Sequence, residues 1–264
     1  PFYPPGTDKR RFLELYARRF SFTELNFSYY RQPHRDTAAA LVQRVPEHFR
    51  FSVKAHRSMT HDRDIATVAD STKRFLEGVE PLHEAGKLAA LLAQFPYSFH
   101  YTVENRRYLD ALAESLSGLP VVLEFRNTKW LNEKLYSGMQ ARGLSLAVTD
   151  MPQLEKLPAL SPDAETLPVT GRIAYIRFHG RNAGQWWSGD ATSRYDYNYS
   201  AEELAPWVSA AQALSARADQ VIVAFNNHAN AQAAFNAELF IKMADQSDSS
   251  ALRDRTGIDP EQSG

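Results

Sequence analysis

The sequence predicts an α/β fold organised on a parallel sheet, and three observations point there. Short apolar runs alternate with longer segments of helical periodicity along almost the whole chain, the pattern of right-handed βαβ units. Most of those runs stay apolar until their last residues and then turn polar. The chain is 264 residues long, a length one barrel domain routinely occupies, and its 44% hydrophobic content suffices for one continuous core.

Taken in order, PFYPPGT is a turn-like opening that runs straight into a helix over 8–19. Strands follow at 22–27 (FTELNF), 49–55 (FRFSVKA) and 88–94 (LAALLAQ), then at 120–126 (PVVLEFR) and 144–149 (LSLAVT). The last two strands are 173–179 (IAYIRFH) and 221–226 (VIVAFN). The intervening segments 35–45, 72–86, 104–117, 130–142, 200–218 and 229–245 repeat apolar residues at three- and four-residue spacing. Tyr108, Leu109, Leu112 and Leu116, for example, lie along one side of the third of these. Seven strands suit a doubly wound sheet, or a (β/α)₈ barrel with one strand missing or cryptic. The opening, which enters a helix as though a strand preceded it, favours the barrel. Residues 150–172 and 180–199 break the rhythm as long connections, the second carrying Trp186, Trp187, Tyr195, Tyr197 and Tyr199. Long ordered loops in a compact domain are commonly functional. One domain is expected over 1–245, with 246–264 a polar, mobile tail.

Composition excludes several classes. Thirty basic residues against thirty-one acidic ones leave no global field that would favour nucleic acid or a membrane surface. The absence of cysteine removes disulfides, thiolate nucleophiles and Cys-ligated metals. No apolar run approaches the roughly 18 residues of a bilayer span, so a soluble, cytoplasmic protein is expected. G-x-G-x-x-G, P-loop and G-x-S-x-G motifs do not occur, so no nucleotide cofactor is implied and the cofactor stays unknown.

The polar strand ends are the candidate site, because parallel α/β folds build sites on the C-terminal rim of the sheet. Glu24, Asn26, Lys54, Glu124, Arg126, Asp150, Arg177, His179, Asn226 and Asn227 all stand at such ends. The pleat has a period of two, which puts Glu24 with Asn26, Lys54 with His56, Glu124 with Arg126 and Arg177 with His179 on shared faces. A charge buried alone costs several kcal/mol, whereas charges gathered on one rim partner one another. Each residue has a bland explanation by itself. Glu124 and Arg126 could be an internal ion pair, and Lys54 could extend to solvent. Convergence at six or seven strand ends is the signal.

The blocks FYPPGT (2–7), FTELNFSYYRQP (22–33), FRFSVKAHRSMTH (49–61) and VVLEFRNTKW (121–130) resemble consecutive blocks of the YecE-like family, also called domain of unknown function 72. YIRFHGRN (175–182), RYDYNYSAEEL (194–204) and FNNHANAQAAFNA (225–237) continue the resemblance to about residue 245. It implies a TIM-type (β/α) barrel. Family members begin with a short strand and a Gly-Thr-x-Gly-Trp-like turn ahead of the Phe-Tyr-Pro, so this barrel is expected to lack or omit its first strand. The family carries no established reaction to transfer.

The residue types suggest acid/base chemistry on a small anionic or polyhydroxylated molecule bearing phosphate, carboxylate or sugar hydroxyls. Glu24, Glu124, Asp150 and His179 are the candidate catalytic groups. Lys54, Arg126 and Arg177 would receive an anion, and Asn26, Asn226 and Asn227 would position hydroxyls or carbonyls. Trp186 and Tyr195 would cover the bound molecule. Alanine at Arg177 is then expected to abolish binding with stability nearly intact. Three alternatives stand beside this one. A divalent metal could sit among Glu24, Glu124, Asp150, His179 and His228, although neighbouring Arg and Lys oppose a cation. The Arg177–Arg181 run with loop aromatics could grip nucleic acid. A barrel could also bind a ligand without changing it.

Overall fold

The pleat of seven short strands decides what faces inward. In the computed structural model, which describes residues 2–256, these are β1 (Phe22–Leu25), β2 (Arg50–Lys54), β3 (Leu88–Gln94), β4 (Val121–Glu124), β5 (Ser145–Asp150), β6 (Ile173–Phe178) and β7 (Gln220–Phe225). All pair in parallel and in chain order. They curl into a TIM-type barrel that is nearly closed. β1 and β7 are its two edges, and a cavity of about 670 Å³ lies along the seam between them.

Every strand lies where the sequence places it, with ends shifted by no more than two residues. Two of those shifts matter. β1 stops at Leu25, and Phe27–Tyr30 winds into a short helix, α2, for which Asn26 is the helical N-cap residue. β4 stops at Glu124, so Arg126 stands beyond the strand.

The other helices are α1 (Phe12–Tyr16), α3 (Arg35–Gln43), α4 (Val68–Glu84), α5 (Val103–Ser115), α6 (Glu133–Ala141), α7 (Ala191–Arg194), α8 (Ala201–Leu214) and α9 (Gln232–Thr256). Their starts follow from capping chemistry. Thr102 and Asn132 accept backbone N–H groups at the heads of α5 and α6. Ser200 and Glu203 exchange side-chain and backbone bonds at α8. α9 runs past residue 245, where the sequence reading ends it, and 257–264 lie outside the described residues. Among the described residues no helix is long and apolar enough to cross a membrane.

Two apolar layers hold the barrel. Outward side chains such as Phe51, Val53, Leu91 and Leu123 pack under the helices on one side, and Ile176 and Phe178 pack against Trp207 of α8 on the other. Inward residues, among them Leu92, Val122, Ala147, Tyr175 and Ile222, fill the lumen. Fully burying one such side chain contributes about 1.5–3 kcal/mol. Gly78 lets α4 approach the chain at Pro33, because a Cβ there would stand 2.1 Å from the Pro33 carbonyl oxygen.

Candidate functional site

The lumen parity continues upward into charge. Phe22 and Glu24, Ser52 and Lys54, Leu92 and Gln94, Val122 and Glu124, and Tyr175 and Arg177 are inward pairs two residues apart. The inward charges meet at the C-terminal end of the barrel. Arg177 is the hub. Its Nε donates to Glu24 Oε2 at 3.0 Å, its Nη2 to Glu24 Oε1 at 2.5 Å and its Nη1 to Glu124 Oε2. The Tyr175 hydroxyl also donates to Glu24, at 3.0 Å.

Glu124 gathers a second cation. Arg126 Nε lies 2.6 Å from Glu124 Oε1, and His179 Nε2 lies 3.3 Å from the same oxygen. Neither N–H is aligned on that oxygen, so both are charge contacts, and all three buried atoms keep unused hydrogen-bonding capacity. The other ring nitrogen of His179 lies 3.3 Å from Asn226 Nδ2 and 3.4 Å from an Arg126 guanidinium nitrogen. Lys54 has no carboxylate within ion-pair distance among the described residues. Its ammonium instead sits 4.8 Å from the centre of the Tyr29 ring.

These contacts set the protonation states. Burial works to raise the Glu124 carboxyl, but Arg126 and Arg177 outweigh it and hold the group well below the carboxylate range. Burial, with the adjacent Arg126, pulls His179 down to about 3, so its imidazole is neutral. Burial and then Arg177 pull Lys54 down to about 8 against the opposing carboxylates. Burial, followed by Lys54, pulls nearby His61 down to about 4.

Glu24, Lys54, Glu124, Arg126, Arg177, His179 and Asn226 are thus brought together. Asn26 joins them by a different route from the one expected. It is helical rather than extended, so it does not share a strand face with Glu24, yet both line the seam cavity together with Arg177, Asn226 and His228. Trp186 is buried against Met151 and Leu157, with the Arg126 guanidinium 5.9 Å from its ring centre. The Tyr195 ring is 5.9 Å from His179. The 180–199 connection therefore roofs the Arg126–His179 side.

Two expected members lie elsewhere. Asp150 pairs in register with outward-facing Phe178, and its carboxylate points away from the lumen. It accepts from Arg181 at 2.6 and 3.0 Å, from the Tyr199 hydroxyl at 2.6 Å and from the Trp207 indole at 3.0 Å. Asn227 is also on the outer face, donating to Tyr197 O and Asn236 Oδ1. Their places break up the imagined metal set, and His228 is exposed. Among the described residues no three His, Asp or Glu side chains are grouped to hold a metal ion. In the basic run, Arg177 is buried in ion pairs and Arg181 is paired with Asp150 and Glu203.

Sequence reasoning missed Tyr29, Ser52 and Tyr175. Ser52 and Tyr175 are found by stepping back two residues from Lys54 and Arg177. Tyr29, on the α2 helix, leaves no such trace.

Comparisons with known proteins agree with this architecture. The family model described as protein of unknown function DUF72 matches residues 1–261. The chain is 32% identical to UPF0759 protein YunF of Bacillus subtilis (strain 168) over an alignment of 262 residues, covering 92% of this chain and 90% of that protein. It is 35% identical to the crystal structure of a DUF72 family protein from Thermotoga maritima MSB8, with a TM-score of 0.82 and 92% of each chain covered. A DUF72 family protein from Enterococcus faecalis V583 superimposes with a TM-score of 0.80 at 32% identity, covering 88% of each chain.

Proposed function

We propose that this chain, which belongs to the family of proteins of unknown function DUF72, is an enzyme using acid/base chemistry on a small anionic or sugar-like molecule at the C-terminal rim. The charge balance of the site carries this reading. Two carboxylates, Glu24 and Glu124, face three cations, Arg177, Arg126 and Lys54, while His179 is neutral. Arg177 is hydrogen-bonded to both carboxylates through all three of its nitrogens. The surplus positive charge therefore rests on Arg126 and Lys54, and an anion would balance it.

Arg126 offers a planar fork for phosphate or carboxylate. Glu124 is held ionised between two guanidinia and serves to orient them. Glu24 borders the cavity and is the better placed proton acceptor. Asn26 and Asn226 would orient hydroxyls, and Trp186 and Tyr195 would limit water.

Titration calorimetry with inorganic phosphate tests the anion site. The protein should bind it, and Arg126→Leu should weaken binding about tenfold or more, the worth of one charge-assisted hydrogen bond. Equal affinity in a folded Arg126→Leu protein contradicts the reading. Acid/base competence is read separately, as deuterium uptake from D₂O into dihydroxyacetone, present in the wild type and lost in Glu24→Gln. Binding without exchange would leave a ligand-binding barrel.

A further inference from the structure

We propose that Lys54 is an amine nucleophile that forms a Schiff base with a small aldehyde or keto acid whose anionic end sits on Arg126. This rests on the anion-site reading above and names its substrate class.

Among the described residues Lys54 has no carboxylate within ion-pair distance. The other cations of the site each lie within ion-pair distance of a carboxylate: Arg177 is hydrogen-bonded to Glu24 and Glu124, and Arg126 makes a charge contact with Glu124. A lysine serving only as a fixed cation would be fastened in the same way. Lys54 is the last residue of β2, its side chain is half-buried on the lumen side, and its amine meets the face of Tyr29 instead of a carboxylate.

The charged groups around it are Arg177 and Arg126, which oppose its ammonium, and Glu24 and Glu124, which favour it. His61 lies on the neighbouring loop and is neutral, adding no charge. Burial and the guanidinia prevail, and the amine is drawn down to about 8 from 10.5. At pH 7 roughly one molecule in ten then carries a free amine, roughly 300 times the fraction for an unperturbed lysine. Desolvation beside another cation is a recognised way to make a lysine nucleophilic.

The step balances without an oxidant or reductant. The Nζ lone pair adds to the carbonyl carbon, a C–N bond forms, and the carbonyl π electrons move to oxygen. The nitrogen, now cationic, gives up a proton and that oxygen takes one, which leaves a neutral carbinolamine. A second proton lets the oxygen depart as water, and the nitrogen lone pair closes the C=N bond of a protonated imine. The imine carries the same charge as the ammonium it replaces, so the charge balance of the site is preserved. It also draws electrons from a neighbouring C–H bond, whose proton Glu24, the carboxylate assigned above as proton acceptor, would take.

Glyoxylate with sodium borohydride at pH 7.5, followed by peptide mapping by mass spectrometry, reads the reaction directly. The reduced adduct should concentrate on Lys54, form more slowly when inorganic phosphate is added, and disappear from that position in Lys54→Arg. Arg126→Leu should slow capture of glyoxylate about tenfold more than capture of neutral glycolaldehyde, which shares any change in the amine but not the anion contact; equal slowing of the two removes the assigned anion partner. Labelling spread evenly over Lys9, Lys129, Lys134 and Lys156, or none at Lys54, overturns the proposal. Phosphate calorimetry on the same samples separates the two readings. Phosphate binding without an adduct removes the Schiff base alone, whereas a Lys54 adduct without phosphate binding supports the nucleophile and removes the anion site.

Discussion

Replacing Arg177 by Met tests the charge hub. The guanidinium is 1% exposed and bonds to both Glu24 and Glu124. Unit charges about 4 Å apart attract by about 4 kcal/mol at an effective dielectric constant of about 20, so the two pairs amount to about 8 kcal/mol before desolvation is subtracted. Removing one partner of a buried pair leaves an uncompensated charge and typically costs about 3–5 kcal/mol. Arg126 still reaches Glu124 in the variant, while among the described residues Glu24 keeps only the Tyr175 hydroxyl as a donor. Urea denaturation at pH 7 should therefore show a loss of about 3–5 kcal/mol, and the melting temperature should fall on the order of 10 °C. This reverses the expectation that Arg177 could be truncated at little cost to stability. The pH dependence provides a second readout. Glu124 is depressed below its ordinary 4.5 in the folded protein, so the stability it contributes is present above 4.5 and is lost as pH falls through the depressed value. In the variant that depression relaxes, so the gap to wild type should narrow as pH falls below 4.5, where the wild type loses this contribution. Adding Glu24→Gln should recover part of the loss, which a double-mutant cycle measures. A loss under about 1 kcal/mol at pH 7, or a gap that widens in acid, refutes the reasoning.

Three further outcomes are expected. His179, held near 3, should show no imidazole titration by NMR between pH 5 and 8, and a midpoint near 6.5 would contradict its burial as a neutral ring. Because the unfolded chain binds a proton at this histidine between about 6.5 and 3 and the folded chain does not, its contribution to stability falls by about 1.4 kcal/mol per pH unit as acid is added through that window, a slope that His179→Gln should remove. Asp150→Asn should cost about 2–4 kcal/mol in thermal denaturation, through weakened bonds from Arg181, Tyr199 and Trp207, yet leave glyoxylate capture at Lys54 unchanged. Gly78→Ala should cost about 1–3 kcal/mol or more by urea denaturation, since its Cβ meets a backbone carbonyl that has no rotamer to yield; a neutral result would mean that α4 shifts freely.

The order of strands and helices was legible because each element declares its own period, and chain-adjacent βαβ units then determine a parallel sheet in sequence order. The grouping of Glu124 with Arg126, and of Arg177 with His179, was likewise legible from residues two apart. What the sequence could not declare is which face of a strand looks inward. Strands such as LAVTD are apolar on both sides because both sides are covered, so no polar stripe marks the lumen. Asp150 and Asn227 were therefore misplaced, each by one residue of parity. The state of Arg177 also lay beyond local reading: whether a guanidinium is open to a ligand or closed by carboxylates depends on Glu24, 153 residues away in the chain. Composition and spacing determine which charges reach the rim. Only barrel closure brings distant carboxylates to Arg177 and leaves Lys54, among the described residues, without one, because the energy of a charge depends on neighbours that the chain supplies from far along its length.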